Sequence, residues 1–378
     1  MKVPFVDLAK HYRLIKPDVL AAMESVLDSG NYILGEEVER FEEAMAEYVG
    51  CRYVLAVANG TDALILAFKA FGIGPGDEVI VPANSFIASA GAVAMVGAKP
   101  IFCDVRNDLN IDTDLIDSLI TDNTKAIMPV HLTGRPVQMK PIWNLAKQYN
   151  LRIIEDTAQA IGAKLDGKMT GNLGDIGCFS LHPLKNLSVY GDGGLMTMND
   201  ESLYHYIKRL RNHGLKDRDT CLYWGLNSRL DAIQACVAKI GLQHLDHWTK
   251  RHRQIAERYC EGLKMVVNVP VEFPGCFAVY HNFVLLTDKR DQLQHYLGEQ
   301  GIETKIHYPI PLHVQPAAEY LGYKLGDFPN TERYAKEMLS LPIYPELDDQ
   351  EVDFVIEKIL AFYSVKIGLK GQCNENAY

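Results

Sequence analysis

Residues 177–194 read GCFSLHPLKNLSVYGDGG, and they run straight into GLMTM at 194–198. Two short apolar runs flank a lysine, Lys185, and a glycine-rich turn built on Gly191, Gly193 and Gly194. Runs of this length bounded by Gly and Pro predict buried strands joined by a tight connection, since glycine reaches backbone conformations that other residues avoid. Working back toward the N-terminus, YVLAVA (53–58), EVIVPA (78–83), PIFCDV (100–105), KAIMPVH (125–131) and LRIIED (151–156) read as further buried strands. Amphipathic stretches such as DALILAFKAF (62–71) and QMKPIWNLAKQYN (138–150) fall between several of them. This alternation predicts an α/β fold with a mainly parallel seven-stranded sheet between layers of helices.

Working forward, residues 228–263 contain no proline, and glycine only at Gly241 and Gly262. Apolar residues recur there at three- and four-residue intervals, predicting one long helix or two joined ones. AVYHNFVLL (278–286) predicts another strand, followed by two or three helical stretches. The expected organisation is an arm, large domain and linking helix over 1–263, a smaller C-terminal α/β domain over 264–370, and an aperiodic, disordered tail over 371–378.

Bulk properties narrow the function classes. A chain of 378 residues with 48% hydrophobic composition can bury a large core, and its length predicts two domains. The formal net charge of −10 argues against general nucleic-acid binding, which needs a basic surface. It leaves room for one small anionic ligand held by backbone N–H groups. No run of eighteen apolar residues suggests a membrane span, and the first residues lack the apolar centre of a signal peptide, so a cytoplasmic location is expected. Eight scattered cysteines without a CxxC pair predict reduced thiols rather than disulfides or a metal site.

Three strand ends carry chemistry. Asn59-Gly60-Thr61-Asp62 follows the first strand and opens a helix, whose free N–H groups and dipole suit a phosphate; Gly60 allows close approach and Thr61 adds a hydroxyl. Glu155 and Asp156 end the LRIIED strand, where a carboxylate could pair with a protonated pyridine nitrogen. Gln159, three residues on, could donate to a ring oxygen. Ser180 offers a second hydroxyl for phosphate, five residues before Lys185. A lysine that captures an aldehyde cofactor as a Schiff base needs such neighbours and a water-poor pocket that lowers its pKa. Each feature alone also fits a helix cap, a solvated strand end or a surface lysine; their succession in chain order favours the joint reading.

With NGTDAL, EDTAQA, HPLKN…GDGG, NSRLDAIQA and HYPIPLH in this order, from PFVDL near the N-terminus to LSLPIYP at 339–345, the chain resembles the DegT/DnrJ/EryC1/StrS sugar aminotransferase family. The resemblance implies the aspartate-aminotransferase fold (fold type I) and pyridoxal 5'-phosphate as cofactor, with pyridoxamine 5'-phosphate as its intermediate form. It implies that Lys185 and Asp156 are catalytic, and that Gly60, Thr61 and Ser180 hold the cofactor phosphate. Gln159 is then expected at the ring hydroxyl, Phe86 on the ring face, and Asn227 at the phosphate of the neighbouring subunit in a homodimer. His307, Tyr308 and His313, with His182 and Tyr190 of the lysine segment, are expected on the sugar side. The implied partners are L-glutamate as amino donor and a nucleotide-linked keto sugar, with dTDP-3-keto-6-deoxyhexose favoured by the 307–332 segment. A C4 aminotransferase or a dehydratase of the same fold is the alternative. Leu181 and His182 stand where the family commonly has two aromatics, Thr157 where alanine is common, and Ser188 where glycine is usual. The dehydratase branch carries histidine in place of the lysine, which is present here.

Overall fold

Seven strands form the central sheet of the computed structural model, which describes residues 1–371, with side chains described through residue 364. They are β1 (Tyr53–Val57), β2 (Glu78–Pro82), β3 (Lys99–Cys103), β4 (Thr124–Ile127), β5 (Arg152–Asp156), β6 (Ile176–Ser180) and β7 (Gly194–Met198). Their order is β1-β7-β6-β5-β4-β2-β3. Strands β6, β5, β4, β2 and β3 run parallel, and β7 is antiparallel to both of its neighbours. The mainly parallel seven-stranded sheet expected from the sequence is therefore present.

Alternation along each strand sends side chains to two different cores, as the period-2 geometry of a strand requires. Leu55, Val57, Val79, Val81 and Ile154 enter one core, beneath helices α3 (Gly60–Ala70), α4 (Ile87–Met95) and α6 (Glu201–Leu210). Val54, Ala56, Phe179 and Leu195 enter the opposite core, with α1 (Leu8–Ser29), α2 (Glu36–Val49) and the first half of α7 (Ala232–Leu263). Ile80, Ile127 and Ile153 extend that second face under α5 (Met139–Tyr149). Because both faces are covered, the strands read as continuous apolar runs.

Helix α7 is a single element. Its second half contributes Ile255, Tyr259 and Leu263 to a further core with Phe283, Leu285, Leu339 and Leu341. Those residues belong to a two-stranded antiparallel sheet, β8 (Phe283–Leu286) and β9 (Met338–Leu341), flanked by α8 (Arg290–Glu299), α9 (Pro329–Glu337) and α10 (Asp349–Gly371). Val3 joins the same core, so the N-terminal arm is packed into this C-terminal layer.

Several elements differ from expectation. The expected N-terminal arm spans residues 1–7, and two helices, α1 and α2, follow it before the first strand. The KAIMPVH strand stops at Ile127: Pro129 cannot donate to a ladder, and the chain bends so that His131 N instead donates to Asp156 O (3.1 Å). The AVYHNFVLL strand begins only at Phe283, after Tyr280 takes a left-handed backbone conformation. The expected tail begins at Gly371, the last residue of α10; residues 372–378, including Cys373, lie outside the described residues. The seven described cysteines are all free thiols. No described helix is long and apolar enough to cross a membrane.

Candidate active site

The carboxyl ends of β1, β5 and β6 meet around a cavity of about 410 Å³. Asn59 ends the first connection and caps α3, its side-chain oxygen accepting from Asp62 N (2.8 Å). The start of α3 is pressed against the two neighbouring strands. A Cβ on Gly60 would lie 2.8 Å from Ser180 Cβ, and one on Gly194 would lie 2.5 Å from the carbonyl of Asn59. Only glycine permits either approach, and the result is a helix N-terminus with the Thr61 and Ser180 hydroxyls at the same cavity wall.

Lys185 lies in the turn after β6. Its N–H donates to His182 O (2.8 Å), while Val189 N and Leu181 N close the turn onto Leu181 O and Gly193 O. The half-buried side chain lines the cavity, and no described residue accepts a hydrogen bond from its amine. Burial lowers its pKa from the ordinary 10.5 to about 8, against the opposing attraction of Asp156. This amine is thus close to its neutral form in mildly alkaline water, as a nucleophilic lysine requires.

Glu155 and Asp156, adjacent in the chain, are separated by the strand's alternation. Asp156 faces the cavity, 6% exposed, with Oδ2 accepting from Ser89 Oγ (2.8 Å) and Oδ1 from Ala158 N (3.2 Å). Burial raises its pKa, opposed by those two hydrogen bonds and by the charge of Lys185. Glu155 faces away and is completely buried. Its oxygens accept from the N–H groups of Gly171, Leu173 and Gly174 at 2.7–2.8 Å and from His131 Nε2 at 2.9 Å. His131 Nδ1 accepts from Val137 N (3.0 Å), which leaves Nε2 as the protonated nitrogen. Glu155 pins a loop; Asp156 is the carboxylate offered to a ligand.

Of the other expected residues, Phe86, Gln159, His182, His307 and Tyr308 line the same cavity. Gln159 is fixed at both ends, accepting from Thr133 N (2.7 Å) and donating to Tyr308 Oη (3.1 Å). Phe86 precedes α4, half exposed, 5.8 Å from the Tyr308 ring. His307 Nδ1 bonds Ser340 Oγ (2.8 Å), and burial together with Lys185 and Lys305 lowers its pKa to about 4.

Three expected residues are not at the cavity. His313 is buried, with Nε2 on Glu332 Oε1 (3.0 Å) and its ring edge against Phe328, so it holds the 312–332 segment together. Tyr190 packs edge-on against Tyr12 (5.6 Å), outside the cavity walls. Asn227 is exposed and does not line this chain's own cavity; nor does it cap α7, whose cap position is Asp231.

Two residues passed over in the sequence belong here. Ser89 lies in the first turn of α4, and Ser85, in the connection just before that helix, bonds it (Oγ to Oγ 2.7 Å), so two hydroxyls four residues apart at the start of an apolar helix were its signal. His281, in AVYHNFVLL, lines the cavity, and its Nδ1 donates to Asn186 Oδ1 (3.0 Å), beside Lys185 in the chain. Burial, reinforced by Lys185 and His307, holds it well below the usual histidine range.

A nucleophilic amine, a buried carboxylate and a helix N-terminus around one hollow have counterparts in known proteins. The profile of the DegT/DnrJ/EryC1/StrS aminotransferase family matches residues 14–360. The chain belongs to this family. It is 43% identical over 368 residues to a "pleiotropic regulatory protein" of Geobacillus stearothermophilus, covering 96% of this chain and 99% of that one. It is 44% identical over 359 residues to the dTDP-3-amino-3,6-dideoxy-alpha-D-galactopyranose transaminase of Aneurinibacillus thermoaerophilus, covering 94% and 98%. Among solved structures, that of Streptomyces venezuelae DesV in complex with a ketimine intermediate superposes with a TM-score of 0.94 at 40% identity, covering 96% and 98%. The enzyme is a pyridoxal-phosphate-dependent sugar aminotransferase of fold type I, and solved DegT-family relatives hold the cofactor in pyridoxal or pyridoxamine form.

Proposed function

We propose that this enzyme moves the amino group of L-glutamate to C3 of a nucleotide-linked 3-keto-6-deoxyhexose, in the cytoplasm, as a homodimer with shared active sites. The observation that carries the reading is that Lys185 and Asp156 line one cavity with Gly60, Thr61 and Ser180. That set fits pyridoxal phosphate. The amine of Lys185 has no acceptor among the described residues, the carboxylate of Asp156 is buried, and the closely packed Gly60 opens a helix whose first N–H groups are free for a phosphate. When bound, the cofactor supplies a protonated conjugated ring that stabilises negative charge on the carbon next to the amine.

The chain's own residues then have distinct tasks. Asp156 holds a negative charge where the pyridine nitrogen would carry its proton. Gly60, Thr61 and Ser180 would hold the phosphate, Gln159 would meet the ring hydroxyl, and Phe86 would cover a ring face, all five lining the one cavity. The Lys185 amine, lowered to about 8, takes the proton from the donor's α-carbon and returns it on the acceptor sugar. His307 is kept neutral by burial, so it offers a hydrogen bond on the sugar side without adding charge, and Tyr308 and His182 stand beside it in the cavity wall.

The C3 assignment is supported by relatives whose names specify 3-amino, 3-dehydro or 3-oxo sugars on dTDP or UDP carriers. The dimer is supported by exposed apolar side chains at the cavity mouth, Phe86 (51%) and Leu184 (51%), and by the position of Asn227 away from its own cavity. The test is incubation with glutamate and a dTDP-3-keto-6-deoxyhexose. The expected products are 2-oxoglutarate and a 3-amino sugar. No 2-oxoglutarate, or loss of a sugar hydroxyl in place of amination, would overturn the assignment. Mixing Lys185→Ala with Asn227→Ala chains should restore activity if each site draws on two copies; two inactive chains that stay inactive together would remove the shared site.

A further inference from the structure

We propose that a second cavity, of about 430 Å³, binds a small oxyanion, a carboxylate or phosphate group, on Arg135 and Asn282. Both side chains line it, at 6% and 4% exposure. No described residue forms an ion pair or hydrogen bond with the Arg135 guanidinium, Asp108 acting on it only through its charge, and the buried Nε has no hydrogen-bond partner. The buried Nδ2 of Asn282 has none either.

The other buried arginines show what Arg135 lacks. Arg211, 3% exposed, donates to Glu42 and to Ala56 O, even though its Nε is also unpartnered. Arg290, 9% exposed, donates to Asp291 and to the carbonyls of Ala335 and Met338. A guanidinium is charged at every accessible pH, and a buried charge without a partner is costly. The buried unpartnered atoms here, Arg135 Nε and Asn282 Nδ2, are both donors, so the complementary group is an acceptor-rich anion.

The facing groups bound its size and charge. Asp108 and Glu337 also line the cavity, and Arg333 stands at its exposed side, stacked on Tyr334. Asp108 is engaged by Asn110 N (3.0 Å), and burial raises its pKa, with Arg135 and Arg106 opposing. Two acids facing two arginines suit a ligand of low charge better than a polyphosphate. The cavity is separate from the cofactor site. Thr133 stands between them, donating to Gln159 and accepting from Asn282 N (3.4 Å), and the successive residues His281 and Asn282 face opposite cavities.

The test uses holoenzyme carrying pyridoxal phosphate, so that the cofactor's phosphate site is filled. Its thermal midpoint is followed against inorganic phosphate and, separately, succinate, at constant ionic strength. A saturable rise of about 2 °C at roughly tenfold excess over Kd is expected with at least one of them, and it should vanish in Arg135→Met. The arm that responds identifies phosphate or carboxylate as the ligand group. Asn282→Asp places an acceptor within the same wall, so it should raise the midpoint in anion-free buffer and abolish the response. No response in the wild type, or an equal response in Arg135→Met, overturns the proposal. Should Arg135→Met fail to fold, Asn282→Asp decides: an unchanged midpoint with the response retained overturns it.

Discussion

The two sides of the β5 strand end carry adjacent carboxylates with opposite fates. On one side Glu155 receives four hydrogen bonds, three of them from backbone N–H groups of the 171–174 turn. On the other, Asp156 receives two and faces a cavity with a lysine. Both are buried, so burial does not tell them apart. The number of acceptor sites already satisfied does: a carboxylate with its lone pairs filled is a fixed structural anchor, and one with capacity left can act on a ligand.

The largest expected effect separates these two sides by substitution. Asp156→Asn removes the charge at the cavity and should lower kcat by about 10²–10³-fold, with little change in thermal midpoint. Glu155→Gln should do the reverse. One amide N–H₂ would face the Gly171 N–H in place of an acceptor, costing about 1–3 kcal/mol of stability and leaving kcat within about threefold. Steady-state kinetics beside thermal melts of both variants checks the contrast. Equal losses of kcat would show that the comparison is mistaken.

A second prediction concerns the amine on the cavity side. The folded-state value for Lys185, about 8, lies below its ordinary 10.5. Below pH 8 the folded protein carries a buried ammonium and the destabilisation is fully present. Between about 8 and 10.5 the folded state sheds that proton before the unfolded state does, so stability rises with pH through this window. In cofactor-free protein, capture of an added aldehyde should therefore climb roughly tenfold per pH unit up to about pH 8 and then flatten. A rate still climbing at pH 10 would place Lys185 in an ordinary solvated environment.

A smaller effect is expected at the phosphate wall. Gly60→Ala puts a methyl 2.8 Å from Ser180 Cβ, where one of the two must shift. Cofactor affinity should fall about tenfold, measured by equilibrium dialysis. Unchanged affinity would mean that the α3 N-terminus is not where the phosphate sits.

Much of this arrangement was legible beforehand because the chemistry lies at strand ends, and strands buried on both faces are easily recognised. Val54–Val57 and Val79–Val81 are continuous apolar runs for that reason. Lys185, Asp156, Gly60 and Ser180 follow from the same runs. What depended on distant chain did not. Which of Glu155 and Asp156 faces the cavity is decided partly by the turn at 171–174, which folds back to claim Glu155. His313 sits between prolines in a segment that reads equally well as ligand-binding or loop-ordering, and its partner Glu332 is nineteen residues away. Tyr190 could not be placed without knowing that Tyr12 packs against it. His281 reaches the cavity from the connection leading into β8, by tertiary packing that no local pattern records.

The smallest prediction probes how finely Asp156 is tuned. Among the described residues Ser89 is its one side-chain donor, and that hydrogen bond opposes the rise in pKa that burial causes. Ser89→Ala removes a donor to the charged form, so the carboxyl pKa should rise further and the acid limb of the kcat profile should move to higher pH. Near neutral pH the loss should be only about threefold, because Ala158 N still donates to the other oxygen. A merely structural role for Ser89 would lower the thermal midpoint and leave the acid limb in place. Ser89→Thr, which keeps the hydroxyl, should restore the limb. If the limb does not move in Ser89→Ala, the charge state of Asp156 is not what the serine controls, and the contrast with Glu155 rests on orientation alone.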